Sequence, residues 1–334
     1  MPEVRRVRSD GLPPTQRGTF RMRTSPSRRG LGLTSATLAA ALLLAGCAAQ
    51  PADGEEAREA SAADGTRSVE HARGTAEVPE DPQRVVVLEP VELDTAVALG
   101  VTPVGAAVAS NVAGIPEYLG VEGVEPVGTV PEPDLEAIAA LEPDLILGTE
   151  SRHSELYDQL EAIAPTVFMA TQADPWQDNV LLIGDALGQR DEAQELLDGF
   201  NERCAQIGED HDVSGETANL IRPRDETTLS LYGPVSFGGG ALECVGLTIP
   251  DQEWEDGLQA DISPENILNA KADYVFVTTA DVDDESTVPA AIAENSAEFP
   301  SVTLVDTSYW VSGVGPKGGE KVLDDIEQFL EAQR

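Results

Sequence analysis

The sequence predicts an α/β protein with two Rossmann-like lobes, each built on a parallel sheet, joined by one long rigid helix. Runs of β-branched and other apolar residues alternate with helical segments on both sides of the midpoint. The longest helical pattern lies between these two series, and spacings in the first series recur in the second. We therefore expect a first lobe at 78–174, an interlobe helix at 175–210 and a second lobe at 211–334.

The central segment contains two predicted helices. Its apolar residues recur in steps of three and four, as on one face of a helix: Trp176, Val180, Ile183, Leu187, Leu196, Phe200, Cys204 and Ile207. Gly188 fits a C-cap after Leu187, and Asp191 is expected to start a second helix of about 17 residues, spanning ~25 Å. A helix of this length can cross between two small lobes.

The flanking segments alternate strand and helix. In the first lobe we predict strands at 84–88, 101–105, 144–148 and 165–169, and helices at 91–99, 134–141 and 154–163. In the second lobe we predict strands at 219–221, 229–232, 273–277 and 302–305, and helices starting near 237, 263 and 320. Ligands of open α/β sheets bind outside the carboxyl ends of the strands, so two facing lobes enclose a binding cleft.

An internal repeat relates the two lobes. Glu136, Ile138 and Asp144 precede one predicted strand, and the same residue types recur at the same spacing before another: Glu265, Ile267 and Asp273. A repeat of this length indicates two similar α/β units.

The amino-terminal region predicts export. Residues 1–47 contain an apolar run after Arg28 and Arg29 that is typical of a signal peptide. The run ends in Leu44-Ala45-Gly46-Cys47, which resembles the lipobox of bacterial lipoproteins, so Cys47 is the expected lipidation site and membrane anchor. Residues 48–77 lack apolar periodicity and are expected to form a disordered tether. The general and twin-arginine export routes both stay open.

Charge excludes several classes of partner. The chain has a net charge of −39, and from Cys47 onward it has 13 basic and 58 acidic residues. Nucleic acids and anionic membrane surfaces are therefore not expected to bind, and contact with the membrane is expected through the lipid anchor alone. The acidity is typical of proteins from salt-rich habitats. Outside the cytoplasm, Cys204 and Cys244 are expected to form a disulfide, with two buried thiols as the alternative.

Several segments, taken in order, resemble one known family. They are the run at 84–105, LEAIAALEPDLIL at 135–147, IAPTV at 163–167, the W…ALG…EA pattern of the central segment, SPENIL…ADYVFV at 263–277 and the closing TSYW…G…VLDDI. Together, over roughly 83–330, they resemble the periplasmic binding proteins for ferric siderophores and cobalamin, which deliver cargo to ABC importers.

The resemblance implies a lipid-anchored, monomeric solute-binding protein without catalysis or cofactor. It would capture a ferric siderophore between its lobes and deliver it to a permease homodimer or heterodimer. Cobalamin and heme are the alternative cargoes. The sequence does not name the siderophore or the permease.

Three arginines and three aromatic residues are candidates for ligand binding. Elimination of the arginines in the tether, on the helix and at the termini leaves Arg152, Arg222 and Arg224 near predicted strand ends. Guanidinium groups bind the anionic oxygens around a ferric ion, with surface salt bridges as the alternative role. The scarce aromatic residues Tyr232, Phe237 and Trp310 are candidates for apolar walls, with core packing as the alternative.

Glu136 and Glu265 are candidates for docking to the permease. The family resemblance implies this role, because in relatives one glutamate from each lobe binds arginines of the permease. Their equivalent places in the repeat suit a two-fold partner. The alternative is that both are ordinary glutamates favoured by a helix amino terminus.

Patterns for other functions are incomplete. The G-x-G-x-x-G match at 313–318 has no second strand with a ribose-binding acid after it. Ser236 lies outside a nucleophile elbow, so a Ser/His/Asp enzyme is not expected. Three scattered histidines, His71, His153 and His211, argue against direct coordination of a bare metal ion, although His153 beside Arg152 is placed to touch a ligand. An extracytoplasmic enzyme on a two-lobed scaffold is an alternative that would need a convergent catalytic set, which the sequence does not show. The tether also allows an adhesive or sensory surface protein, although the candidate docking glutamates argue against it.

Overall fold

The structure, a computed structural model, describes residues 65–110, 114–255 and 257–334. The predicted signal peptide, Cys47 and most of the predicted tether lie outside these residues. Within them, no helix has the length and apolar character needed to cross a membrane.

A β-hairpin opens the described part of the chain. Its antiparallel strands are β1 (Thr66–His71) and β2 (Gly74–Pro79). Val69 and Val78 are fully buried in the core of the first lobe, and Arg67 donates hydrogen bonds to the carbonyls of Asp185 and Ala186. The predicted tether at 48–77 is therefore wrong from Thr66 onward, because one valine in each strand of this otherwise polar segment is buried against the first lobe.

The first lobe contains a six-stranded sheet in the order β6-β5-β4-β3-β7-β8, parallel except for the β5–β6 pair. The strands are β3 (Val85–Val87), β4 (Gly105–Val108), β5 (Glu125–Thr129), β6 (Glu132–Pro133), β7 (Leu145–Thr149) and β8 (Thr166–Met169). The helices are α1 (Pro90–Ala98), α2 (Leu135–Ala140), α3 (Glu150–His153), α4 (Tyr157–Glu161) and α5 (Trp176–Leu187), with 3₁₀ turns at 117–119 and 154–156.

After the connecting helix α6 (Arg190–His211), the second lobe contains a five-stranded sheet. The strands are β9 (Ala218–Pro223), β10 (Leu229–Tyr232), β11 (Gln259–Ile262), β12 (Tyr274–Thr279) and β13 (Val302–Asp306). The order is β11-β10-β9-β12-β13, with β9, β12 and β13 parallel and β10 antiparallel to both neighbours. The helices are α7 (Phe237–Val245), α8 (Ala290–Glu294), α9 (Thr307–Trp310) and α10 (Pro316–Ala332), with 3₁₀ segments at 264–270, 285–287 and 296–298. The predicted fold class, two α/β lobes and a long helix, is confirmed.

The repeated aspartates have the same structural task in both lobes. Asp144 accepts hydrogen bonds from the backbone N–H groups of Gln83 and Arg84, just before β3. Asp273 accepts hydrogen bonds from the N–H and the hydroxyl of Thr217, just before β9. Each carboxylate thus ties the start of one central strand to the start of its parallel neighbour, which explains why this position recurs.

Helix α6 joins the two lobes. It has 22 residues and spans about 33 Å at 1.5 Å per residue. Ala193 and Leu197 are buried in the first lobe's core, whereas Phe200, Cys204 and Ile207 are buried in the second lobe's core. Because the same rigid helix belongs to both cores, it sets the separation of the lobes.

The helix boundaries differ in part from the prediction. Gly188 ends α5 in the left-handed conformation (φ 76°), as its place after Leu187 indicated. However, α6 begins at Arg190, so Asp191 lies in its first turn and does not cap it. Apart from Trp176, which also contacts the second lobe, the buried residues of helix α5 pack in the first lobe's core, so the bridge is shorter than the predicted 175–210 segment.

Asp94 of α1 provides a second connection between the lobes. Helix α10 starts after Gly315, which has no side chain to cap it. The fully buried Asp94 carboxylate instead accepts hydrogen bonds from the N–H groups of Lys317 (2.7 Å) and Gly318 (2.8 Å) and from the Tyr118 hydroxyl (2.8 Å). A carboxylate at a helix amino terminus satisfies its N–H groups and its dipole.

This contact explains the G-x-G-x-x-G match. A Cβ atom on Gly315 would collide with Asp94, and one on Gly313 would collide with the Tyr118 side chain. The glycines therefore permit the close approach of the lobes, and a carboxylate of the protein occupies the place where a nucleotide phosphate would bind.

Cys204 of α6 and Cys244 of α7 form a disulfide with a Cα–Cα distance of 5.5 Å. Replacing both by serine is expected to lower the free energy of unfolding by roughly 4 kcal/mol, because a cross-link closing a loop of 40 residues restricts the unfolded chain. Denaturant titration of residues 48–334 checks this value. Labelling of two free thiols in the unfolded, unreduced protein would contradict the bond.

Candidate ligand-binding cleft

A cleft lies where the carboxyl ends of the strands of both lobes meet. It consists of two adjoining cavities, which we call the Glu89 cavity (about 240 Å³) and the Tyr232 cavity (about 280 Å³). Both are bordered by the same four residues, Gln172, Arg222, Val311 and Val314. The cavities therefore form a continuous surface that is contributed by both lobes.

Strand ends supply the polar groups of the Glu89 cavity. Glu89 follows β3, Ser110 follows β4, Arg152 follows β7 and Gln172 follows β8, while Arg222 lies near the end of β9 in the other lobe. Because parallel strands end at one edge of a sheet, residues far apart in sequence converge here. This arrangement brings Arg152 and Arg222 of the two lobes to one cavity.

Glu89 and Arg152 form an ion pair at the first lobe's side of the cavity. Arg152 Nε lies 3.0 Å from Glu89 Oε1, and its N–H donates a hydrogen bond to Gln172 Oε1 at 2.8 Å. Glu89 is 3% exposed, and no N–H or O–H group of the described residues donates to its Oε1 atom. Burial raises the pKa of Glu89 to about 7, although the charge of Arg152 and a hydrogen bond from the Thr149 side chain oppose this shift. Arg152 is thus paired with a buried carboxyl group that gains or loses its charge near neutral pH.

Arg222 and Arg224 supply positive charge from the second lobe. Arg222 Nη1 donates a hydrogen bond to the Tyr232 hydroxyl at 3.3 Å, and Arg224 is exposed at the edge of the Tyr232 cavity. Neither arginine forms an ion pair with an acidic side chain in the described part of the chain. The cleft therefore presents two cations that are available to an anionic ligand.

Apolar side chains form one side of the Tyr232 cavity. The Trp176 ring packs edge-to-face against Phe200 and Phe237, with centroid distances of 5.3 and 5.2 Å. Val235 and Leu258 border the same cavity and are 56% and 36% exposed. The cavity thus joins an apolar surface to the two arginines.

Three predicted residues have mainly packing roles. Tyr232 and Phe237 border the cavity but are each only 8% exposed. Trp310 is fully buried, stacks on Phe276 and donates its indole N–H to Asp325, so it supports the cavity from beneath and is not an exposed wall. Trp310 follows β13, which correctly predicted that it lies near the cleft. The position in the sequence did not predict that its side chain is buried.

His153 is a core residue. Its Nδ1 atom accepts a hydrogen bond from the Thr149 N–H, and Nε2 lies 2.8 Å from the Val130 carbonyl, to which it donates. Burial lowers the pKa of His153, and the ring is inaccessible to a ligand. Across the described residues, no three His, Cys, Asp or Glu side chains are grouped as a metal-ligand set.

Glu136 and Glu265 lie outside both cavities. Each is exposed in the first turn of its element, α2 or the 3₁₀ segment at 264–270. Asp134 caps α2 by accepting the N–H groups of Glu136 and Ala137, so the Glu136 side chain is not needed for capping. Both glutamates are thus accessible to a partner.

Sequence reasoning missed Glu89, Gln172 and Trp176 as cleft residues. Glu89 and Gln172 follow parallel strands, the same signal that identified Arg152. The arginines drew attention because basic residues are rare in this chain, whereas one glutamate among so many acidic residues did not. Trp176 was interpreted as an anchor of the central helix, and it does contact Phe200 of α6 while it also borders the cavity.

A two-lobed α/β fold with a ligand-sized cleft at the strand ends defines a solute-binding protein. Residues 85–302 match the family described as periplasmic binding protein. The chain belongs to this family, whose members bind substrates and are not enzymes. The family assignment made from the sequence motifs is confirmed.

Several members of this family are similar to the chain over most of their length. The chain is 32% identical to the probable siderophore-binding lipoprotein YfiY of Bacillus subtilis (strain 168), over 79% of this chain and 88% of the relative. It is 28% identical to the Fe(3+) dicitrate-binding periplasmic protein FecB of Escherichia coli (strain K12), over 80% and 91%. Staphylococcus aureus SirA complexed with staphyloferrin B superimposes with a TM-score of 0.66 and 30% identity, over 80% of this chain and 99% of SirA.

Glu92, one helical turn from Glu89, provides a test of the local electrostatics. Its buried Oε2 atom accepts hydrogen bonds from the N–H groups of Leu88 (2.8 Å) and Glu89 (3.0 Å). Burial, with the negative charge of Glu89, raises the pKa of Glu92 well above its usual value, although these donors oppose the shift. The folded protein therefore holds a proton on Glu92 at pH values where the unfolded chain has lost it, and its stability falls as the pH rises through that range.

Glu92→Gln is expected to raise the free energy of unfolding at about pH 8, because glutamine keeps one oxygen as the shared acceptor and removes the buried charge. The gain should vanish near about pH 4, where Glu92 is protonated in both states. Urea titrations at the two pH values measure the difference. Glu192→Gln, at an exposed position on α6, is the control. Equal effects at both pH values would contradict the electrostatic cause.

Proposed function

We propose that this protein is a lipid-anchored receptor that captures a ferric siderophore in the interlobe cleft and delivers it to the permease of an ABC importer. The observation that carries the proposal is the pairing of Arg222 and Arg224 with an apolar cavity at the strand ends. The relatives YfiY, FecB and SirA support it, because their names or bound ligand connect them with siderophores or ferric citrate.

The distribution of charge supports an oxygen-rich ligand. From Cys47 onward the net charge is −45, and only ten arginines and three lysines remain. Three of these thirteen cations, Arg152, Arg222 and Arg224, border the cleft. Guanidinium groups donate several hydrogen bonds in a fixed plane to anionic oxygens. These hydrogen bonds are strongest when the groups are partly desolvated. A siderophore surrounds ferric iron with such oxygens, so the protein recognises the outer surface of the complex.

Anchoring and docking complete the proposal. Lipidation of Cys47 would hold the receptor at the outer face of the cell membrane, close to the permease. Glu136 and Glu265, exposed at repeated positions in the two lobes, would bind basic residues of the two permease subunits. A monomeric receptor suits this arrangement, because its internal repeat already gives two similar contact sites.

Fluorescence of Trp176 provides the direct test of binding. In the unlipidated chain 48–334, which keeps the β1–β2 hairpin, a ferric siderophore is expected to quench this tryptophan because it borders the Tyr232 cavity. Arg222→Ala with Arg224→Ala is expected to weaken binding by about 2 to 5 kcal/mol, because both groups face the ligand's charge. Ferric hydroxamate, catecholate and citrate complexes are titrated beside cobalamin and heme.

Two control variants are needed to interpret this titration. Trp176→Phe keeps an aromatic side chain at the cavity and should remove the contribution of Trp176 to the quenching, leaving that of Trp310, which borders the same cavity, while calorimetry measures the affinity separately. Arg190→Ala with Arg334→Ala removes the same amount of charge from residues that do not border either cavity. Unchanged affinity after loss of Arg222 and Arg224 would refute their role, and saturable binding of cobalamin or heme alone would reassign the cargo.

Charge reversal of both candidate docking residues, Glu136→Lys with Glu265→Lys, is expected to abolish siderophore-dependent iron uptake by cells, because attraction to basic permease residues becomes repulsion. Affinity for the ligand in solution should stay within about twofold of that of the unmodified protein, since neither residue borders the cleft. The reversal Glu192→Lys with Glu331→Lys, at two other exposed sites, is the matched control. Normal uptake by the Glu136/Glu265 variant would show that the permease contacts another surface.

A further inference from the structure

We propose, building on the siderophore-binding function above, that Glu89 makes the cleft selective for ferric complexes of little or no negative charge, such as ferric hydroxamates. Polyanionic ferric complexes, such as tricatecholates, would be disfavoured. Glu89 would thus be a specificity-determining residue, and the inference concerns which siderophore class binds.

The first argument is the charge within the cleft. Arg152 is paired with Glu89 at 3.0 Å, so the Glu89 carboxylate, when ionised, offsets the charge of this guanidinium group. Arg222 and Arg224 add two positive charges, and Asp174, which borders the Tyr232 cavity, adds one negative charge. The net charge of the cleft is then about one positive unit in a chain that is otherwise strongly acidic. Such a site does not compensate the three negative charges of a ferric tricatecholate.

Ferric hydroxamates suit a cleft of such low net charge. Each hydroxamate group carries one negative charge, so three of them neutralise Fe³⁺, whereas three catecholates leave the complex as a trianion. The outer oxygens of a neutral complex still accept hydrogen bonds. Arg222 and the Tyr232 hydroxyl, which accepts from Arg222 and keeps its own proton to donate, are placed to supply them.

The second argument is the burial of the Glu89 charge. Glu89 borders the cavity but is only 3% exposed, so water screens the charge of its carboxylate poorly. This charge attracts a ligand's ammonium group, whereas it repels the anionic oxygens of a catecholate trianion.

Four ferric complexes separate these effects by calorimetric titration. Ferrioxamine E is a neutral cyclic trihydroxamate, ferrioxamine B has the same coordinating groups with a free ammonium arm, ferric enterobactin is a tricatecholate trianion, and ferric citrate is a polycarboxylate. The unmodified chain 48–334 is expected to bind both ferrioxamines at least about tenfold more tightly than ferric enterobactin or ferric citrate. Ferrioxamine B should bind at least as tightly as ferrioxamine E.

Variants then assign the selectivity to Glu89. Glu89→Gln is expected to improve binding of ferric enterobactin by about tenfold and to lower the preference for ferrioxamine B over ferrioxamine E. Glu192→Gln, which makes the same change of charge at an exposed position on α6 outside both cavities, should alter both ratios by no more than about twofold. Thermal unfolding confirms that each variant is folded. Arg152→Gln, which leaves Glu89 without its cation, should shift the preference further against the trianion.

The possible outcomes are distinct. A ferric enterobactin affinity equal to or above that of the ferrioxamines in the unmodified protein, or ratios that Glu89→Gln leaves unchanged, would overturn the selectivity proposal while the siderophore function stands. Failure of all four ferric complexes to bind would overturn both proposals.

Discussion

The buried contact between Asp94 and the start of α10 determines the geometry on which the rest of the structure depends. One carboxyl group from the first lobe satisfies two backbone N–H groups of a helix in the second lobe and the Tyr118 hydroxyl. Burial raises the pKa of Asp94 to about 7, against the effect of these donors, so the arrangement is favourable only because all three hydrogen bonds are made. Together with α6, which is buried in both cores, this contact connects the lobes at two points, and the cleft lies between them.

The charge of the cleft differs from that of the rest of the surface. The negative charge of most of the surface keeps the protein soluble, and salt screens its self-repulsion. Within the cleft, positive charge exceeds negative charge. Arg222 and Arg224 form no ion pair with a described acidic side chain, whereas Arg152 is paired with Glu89. Recognition then depends on a few charged groups at strand ends and on the apolar surface around Trp176.

Sequence patterns predicted the fold well where one physical signal dominated. Apolar runs identified most central strands, Gly188 marked the end of a helix, and the repeated Asp144 and Asp273 turned out to tie equivalent strands together. The patterns failed where long-range packing decided the outcome. The hairpin at 66–79 is held by two buried valines and by the contact of Arg67 with α5. Both interactions involve residues distant in sequence, so the polar segment itself does not predict them. Similarly, Trp310 is placed correctly near the cleft but is turned into the core, and His153 is tied to two backbone groups.

The central claim is that a ferric siderophore binds between Arg152 of one lobe and Arg222 of the other. A crystal structure of residues 48–334 with a bound ferric siderophore, using anomalous scattering at the iron absorption edge, tests it most directly. We expect one strong iron peak in the cleft, with the ligand's oxygens within hydrogen-bond distance of the Arg222 guanidinium group. An iron peak on the surface of either lobe, or a complex in which the cleft contains no ligand, would contradict the account.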